Sequence, residues 1–160
     1  MPNCYQKSCI LPLNLPPRHL NLRRNNNDEI EIFDPLRRRW LYLTPEEWVR
    51  QHFVAHLIAD KQYPMQLMAN EVSLELNGLR RRCDTVVWNH TDAKPLIIIE
   101  YKAPTVKLSR RVFDQIVRYN MVLKAPYLIV SNGLTHYCCR VDCQTGEYSF
   151  LTAIPTYSNL

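Results

Sequence analysis

The sequence predicts an α/β fold: one mixed central sheet of about five strands flanked by helices, in the order α-β-β-β-α-β-β. Three observations carry that expectation. Thr44-Pro45-Glu46-Glu47 is a strong helix start. Asn77-Gly78 divides two strand-like runs and reads as a hairpin turn. A helix-period stretch then separates the β-branched run 96–102 from the strand-like run 126–130, which suggests a parallel crossover after an antiparallel meander.

Taken in order, residues 1–29 are rich in proline and asparagine, with Asn25-Asn26-Asn27 inside, and read as an irregular N-terminal arm. Residues 30–160 are then expected to form a single domain. In the first helix Thr44 suits the N-cap, Pro45 the first turn, and Glu47 the capping-box position from which a carboxylate reaches back. Val49, Phe53, His56 and Leu57 share one stripe, and Tyr63-Pro64 ends the helix after about Lys61. Strands are expected over 67–76 and 80–88, a polar turn over 89–94, and a central strand over 96–102. The second helix, about 109–123, repeats Val112, Ile116, Tyr119 and Leu123 at helical spacing. Strands over 126–130 and 134–141 flank the Asn132-Gly133 turn.

Composition excludes several function classes. The chain has 160 residues, enough for one sizeable core. Its three glycines cannot write G-x-x-x-x-G-K-[ST] or G-x-G-x-x-G, so neither usual phosphate-cradling loop is present and no ATP site is expected. The N-terminus has no basic start followed by an apolar run, and the longest apolar stretch, 95–99, is far below the ~20 residues of a membrane span. A cytoplasmic protein without membrane contact is expected. Its six cysteines then read as small buried apolar residues rather than a disulfide framework. The charge is unevenly spread. Residues 1–79 are balanced, residues 80–124 hold ten basic and four acidic residues, and residues 125–160 are nearly neutral. The whole positive surplus therefore lies in one segment, which favours a polyanionic partner.

That segment also carries the candidate chemistry. Strand alternation puts Arg80, Arg82, Asp84 and Val86 on one face, and Ile98, Glu100 and Lys102 on one face of the next strand. Glu100 and Lys102 emerge directly after the apolar run 96–99, where a surface strand would alternate. If Asp84 lies alongside, two carboxylates and an ammonium converge. Such a pair of carboxylates suits Mg²⁺, with Mn²⁺ as a substitute, and the lysine suits an attacking water or a charged transition state. Gln115 and Tyr119, four apart on the second helix, can lie beside the site. Arg82 with Lys107, Arg110 and Arg111 supplies donors for DNA phosphates, the latter three near a helix start that favours anions. The run Arg37-Arg38-Arg39 reads equally as phosphate contact or solvated turn charge.

Asp84, Glu100-x-Lys102 and Gln115-x-x-x-Tyr119 together resemble the PD-(D/E)XK nuclease superfamily, and within it the N-terminal nuclease domain of type I restriction enzyme R subunits. The resemblance covers about residues 30–142. It extends to Ile32-Phe33-Asp34-Pro35, Leu43 through Gln51, Arg82-x-Asp84, Ala103-Pro104, Phe113-Asp114-Gln115 and Ser131-Asn132-Gly133. It implies a restriction-endonuclease-like core and a metal-dependent deoxyribonuclease with Asp84 and Glu100 as metal ligands. Lys102 would be the catalytic lysine, and Gln115 and Tyr119 would support the site or touch DNA. Some relatives add an acidic residue from the first helix, which here is Glu46 or Glu47. R subunits follow this domain with an ATP-driven motor, for which this chain has neither the length nor the glycines. It would then work with separate restriction-system subunits or as a homodimer. The alternative is a catalytically silent nucleic-acid-binding or assembly module that keeps the fold.

Overall fold

The computed structural model describes residues 9–76 and 78–160, apart from the side chains of Leu76, Leu79, Arg81, Gln115, Arg118, Tyr119 and Val122. Two sheets enclose the first helix. A small antiparallel sheet, ordered β1-β2-β3, contains β1 (Leu22–Arg24), β2 (Ile30–Asp34) and β3 (Arg39–Tyr42). Helix α1 (Pro45–Asp60) follows. The main sheet is ordered β4-β5-β6-β7-β8-β9, with β4 (Met68–Leu76), β5 (Leu79–Trp88), β6 (Pro95–Tyr101), β7 (Tyr127–Ser131), β8 (His136–Val141) and β9 (Tyr148–Phe150). Helix α2 (Arg110–Leu123) joins β6 to β7, the parallel pair among neighbours that are otherwise antiparallel.

The α/β class and the element order from α1 to β8 match the sequence expectation. The strand count does not: the main sheet has six strands, and a separate three-stranded sheet precedes α1. β1, β3 and β9 have only three or four residues, too few for period-2 alternation to stand out. β1 lies within residues 1–29, which the sequence reads as irregular.

Both helices start where their caps dictate. Thr44 Oγ1 accepts the Glu47 N–H at 3.0 Å, and Ser109 Oγ accepts the Val112 N–H at 3.3 Å. α1 packs on the main sheet through Val49, Phe53, Val54 and Leu57, against Val87, Ile97, Ile99, Tyr101 and Ile129. Trp48, beside Ile32, Leu43 and Cys9, belongs to a second cluster on the small sheet. A helix covered by two sheets needs apolar residues on more than one stripe, and its remaining inward positions here are polar: Glu47, Arg50 and Gln51 are buried. α2 covers the opposite face of the main sheet through Phe113 and Val117, against Val86, Ile98, Leu128, Val130 and Cys139.

Alternation along the β4–β5 hairpin changes phase once. Met68 packs under α1, yet Val72 and Leu74 pack with the α2 cluster. In β5, Val87 packs under α1, while Val86 and Cys83 both pack with the α2 cluster. Simple alternation would have kept Val86 and Cys83 on opposite faces. The break lies at Glu71, whose φ of 57° is left-handed. The β4–β5 register places Glu71 between the pairs Asn70↔Thr85 and Val72↔Cys83, hence opposite Asp84. A non-glycine residue held there is strained and marks a deliberate bend. Arg82, Asp84 and Val86 therefore do not share one flat face as strand period alone predicts.

The arm and the tail close the α1 side. Asn14 N–H donates to the Gly133 carbonyl at 2.8 Å, and Trp48 Nε1 donates to the Leu11 carbonyl at 2.9 Å. Gly133 has φ +81°, and a Cβ there would meet Leu13 Cδ2 at 2.6 Å. Its smallness is what admits the arm. Cys9, Cys83, Cys138 and Cys139 are buried, and burial pushes Cys139 up to about 12.

Candidate functional site

The bend at Glu71 and Asp84 delivers a carboxylate to the end of the central strand. In the β5–β6 register Thr85 pairs with Ile99, so Asp84 stands one step further, opposite Glu100. Asp84 Oδ2 accepts the backbone N–H of Tyr101 at 2.8 Å. Tyr101 is the residue between Glu100 and Lys102, so the Asp84 carboxylate lies across the Glu100-x-Lys102 segment. Glu100 and Lys102 are partly buried there, directly after the buried residues Ile97, Ile98 and Ile99. Lys102 is fixed through its own N–H, which donates to the Ser131 carbonyl at 2.9 Å. The structure thus brings Asp84 to the Glu100–Lys102 strand end.

α1 adds charges that the sequence placed only in part. Glu46 in its first turn is partly buried. Burial first, and next the nearby Asp84 carboxylate, raise its pKa above the ordinary glutamate value, with Lys102 and Arg50 pulling the other way. Glu46, Asp84 and Lys102 therefore share one electrostatic neighbourhood. Glu47 does something else. Thr44 caps the helix, but the Glu47 carboxylate turns inward instead of closing a capping box. Its Oε1 accepts from Gln51 Nε2 at 2.7 Å and Arg37 Nη2 at 3.0 Å, and its Oε2 accepts from Arg50 Nη1 at 2.9 Å.

Arg50 is the hub. Its side chain is 3% exposed, and it meets Glu47 at 2.9 Å, Glu71 Oε1 at 2.7 Å and Asp84 Oδ1 at 3.3 Å. Burial alone would lower its pKa, but Glu47, Asp84 and Glu71 more than offset that, so the guanidinium stays charged. Arg37 extends the network to Asp34, which also accepts from Asn70 Nδ2 at 2.9 Å, and Asn70 in turn accepts from Thr85 Oγ1 at 2.6 Å. Arg37 is therefore a partly buried counter-ion, not a phosphate contact or a solvated turn charge. Sequence reasoning missed the hub. The available signal was an arginine three residues after Glu47, between the buried Val49 and Phe53, where a solvated charge is out of place.

The other candidates fall in different places. Arg82 is exposed and ion-pairs with Glu71, so it joins the site's rim through an acid. Lys107, Arg110 and Arg111 are exposed around the start of α2. Gln115 and Tyr119 lie within α2, but their side chains are outside the described residues. Of the two histidines at i, i+4 spacing on α1, His56 Nδ1 pairs with Asp60 at 2.8 Å and His52 lies edge-on to Trp48.

The donor set suits a hard divalent cation. Burial and then the neighbouring Asp84 carboxylate raise the pKa of Glu46, and each Asp84 oxygen keeps a lone pair beyond the hydrogen bond it accepts. Among the described residues no three His, Cys, Asp or Glu side chains converge on one point. A cation that takes one or two carboxylates, and completes its shell with water and phosphate oxygens, needs no such cluster.

The family model described as Type I restriction enzyme R protein N terminus matches residues 45–155, most of this chain. No curated protein matches it. The matched range runs from the first residue of α1 past β9 and contains Glu46, Arg50, Asp84, Glu100 and Lys102.

Proposed function

From the premise that the chain belongs to the type I restriction enzyme R protein N-terminus family, we propose that it is a restriction-related deoxyribonuclease with a PD-(D/E)XK core. It would hydrolyse DNA phosphodiesters with Mg²⁺ or Mn²⁺. The observation that carries this reading is the hydrogen bond from Tyr101 N–H to Asp84, because it seats one acid across the Glu-x-Lys segment of the neighbouring strand.

Asp84 and Glu100 would hold the cation, with Glu46 beside them. When bound, the metal would polarise the phosphodiester and lower the pKa of a water molecule. The chain's own residues do the rest. Tyr101 N–H and Arg50 fix the two oxygens of Asp84. The Lys102 ammonium orients the attacking water and offsets negative charge that builds on the phosphoryl oxygens. Water oxygen bonds to phosphorus, the bond from phosphorus to the leaving oxygen breaks, and that oxygen takes up a proton. Arg82, Lys107, Arg110 and Arg111 would meet the DNA backbone. Gln115 and Tyr119 belong to the reading through the family resemblance.

One observation favours a second reading. Arg50 already answers Asp84 with a tethered positive charge, as a fold that keeps the acids but binds DNA without turnover would do. Incubating plasmid and linear DNA with the full chain and Mg²⁺ or Mn²⁺ separates the two. Cleavage that disappears in Asp84→Ala is expected. Equal cleavage by both proteins would sink the assignment, and salt-sensitive binding without cleavage would favour the silent module.

A further inference from the structure

On the α2 face of the main sheet, next to the candidate site, four aromatic rings gather at the sheet edge. Phe113 of α2 meets Phe150 at 4.9 Å, Tyr148 at 5.4 Å and Tyr137 at 6.1 Å between ring centroids. Tyr137 and Phe150 contact each other at 5.7 Å. Phe113 is buried, but Phe150 is 53% exposed and Tyr137 37%. The two outer rings therefore rest on a rigid base and present their free surfaces to solvent. With Leu108, Ser109 and Arg110 they line a shallow cavity of about 180 Å³.

The register ties this platform to the site. Glu100 pairs with Val130, and Val130 with Tyr137, so the three form one row across β6, β7 and β8 on one face. Neighbouring strands are about 4.8 Å apart, which sets Tyr137 roughly 10 Å from Glu100. The next row, Ile98, Leu128, Cys139 and Phe150, lies on the same face, beneath α2.

The exposed charges around the start of α2 are all positive. Lys107, Arg110 and Arg111 are exposed around the α2 start, its first turn holds no acid, and none of the three has a carboxylate partner among the described residues. Asp114, the nearest acid in sequence, is taken by the Tyr148 hydroxyl at 2.5 Å. Exposed rings flanked by unanswered cations match one ligand chemistry: unpaired bases that stack, on a backbone that carries phosphates. A paired duplex keeps its base faces inside the stack and could use only the cations.

We propose that Tyr137 and Phe150 form a stacking platform for an unpaired nucleic-acid strand, which Lys107, Arg110 and Arg111 hold by its phosphates and lead towards Glu100. The proposal rests on the hydrolase reading of the site and narrows its substrate class to DNA with single-stranded or frayed segments. A strand stacked on the two rings reaches Glu100 across a single row of the sheet.

The test is fluorescence anisotropy of a labelled single-stranded oligonucleotide, and of its blunt duplex, with the full chain in EDTA so that cleavage plays no part. Wild type should bind the single strand more tightly than the duplex. The double variant Tyr137→Ala/Phe150→Ala should weaken single-strand binding by at least about tenfold and duplex binding by less than about twofold. Tyr137→Trp, which keeps a stacking ring, should retain the affinity and shows that an unfolded variant is not the cause. Arg110→Gln should weaken both forms and lower the salt slope by about one. Single-strand affinity unchanged in the double variant would overturn the proposal, as would equal losses for both DNA forms. A dimer in wild type that the double variant splits, with DNA binding unchanged, would assign the patch to a second copy instead. Retained stacking in a protein that cleaves nothing would defeat the hydrolase reading and leave the platform standing, while cleavage without ring-dependent binding would do the reverse.

Discussion

The α1 end of the main sheet and the α2 face of the same sheet handle charge in opposite ways. Under α1, Glu47, Glu71, Asp84 and Asp34 are answered by three arginines, Gln51 and Asn70, and Arg50 alone meets three of the four acids. Around the start of α2, three cations stand in solvent beside two half-exposed rings. The difference teaches where each region can act. A closed network positions groups, because moving any member strands its partners in a poorly solvated interior. An open patch has given up little solvation in advance, so a ligand can take its groups at low cost.

Substitutions that cut into the network should break the contrast most visibly. Arg50→Met removes the shared counter-ion of Glu47, Glu71 and Asp84, leaving Asp84 without its ion pair and Glu47 and Glu71 each with one of their arginines. A loss of about 3–5 kcal/mol is expected in urea unfolding. A loss under 1 kcal/mol would mean that water reaches these acids freely and that the network is not closed.

Gly133→Ala tests the seal over the same side. Its φ of +81° disfavours any Cβ, and that Cβ would strike Leu13 from the arm. We expect a loss of about 1–3 kcal/mol, read as a lower midpoint in thermal or urea unfolding. Removing the Leu13 clash with Leu13→Ala in the same chain should recover only the packing part.

Asp34 sharpens the comparison through pH. Burial favours its neutral form, but the hydrogen bonds from Asn70 and Arg37 outweigh burial and hold its pKa below the ordinary 3.8. Its stabilising contribution is complete above that value and is lost as pH falls from it through the lower folded value. Unfolding followed from about pH 5 to pH 2 should steepen in that window for wild type and flatten there in Asp34→Asn. An unchanged acid limb would remove Asp34 from the network's energetics.

The smallest effect is expected on the open side. Arg110→Gln and Arg111→Gln should each change stability by no more than about 0.5 kcal/mol, since neither has an acidic ion-pair partner among the described residues to strand. A loss of 2 kcal/mol, or about that, would show that these cations are structural and dissolve the contrast.

Much of the fold could be read from the chain alone where the physics is local. Thr44 and Ser109 cap helices because side-chain oxygens three residues before an N–H reach it without tertiary help. The hairpin signal needs only a glycine that tolerates positive φ: Gly78 adopts one and Leu76 pairs with Leu79, while Asn77 lies outside the described residues. Ile97, Ile98 and Ile99 are all buried, so the central strand is covered on both faces, as an unbroken β-branched run must be. The pairing of Asp84 with Glu100-x-Lys102 could be anticipated from strand order, and the structure supplies the Tyr101 N–H bond that fixes it.

What the sequence by itself determined was therefore the set of local structures, their order, and the short list of charged residues on the central strands. Only the tertiary structure decided how those charges are used. The bend at Glu71 turns Asp84 out of the alternation that sequence period predicts, and no local preference of glutamate foretells a left-handed φ. Glu47 left the capping box because Arg37, ten residues earlier in the turn between β2 and β3, reaches it together with Arg50 and Gln51. Tyr137 and Phe150, on the paired strands β8 and β9, gained their buried base only when α2 laid Phe113 against both. In each case the deciding energy is long-range: burial, which either pairs a charge or leaves a ring half-exposed, depends on the residues that arrive from elsewhere in the chain.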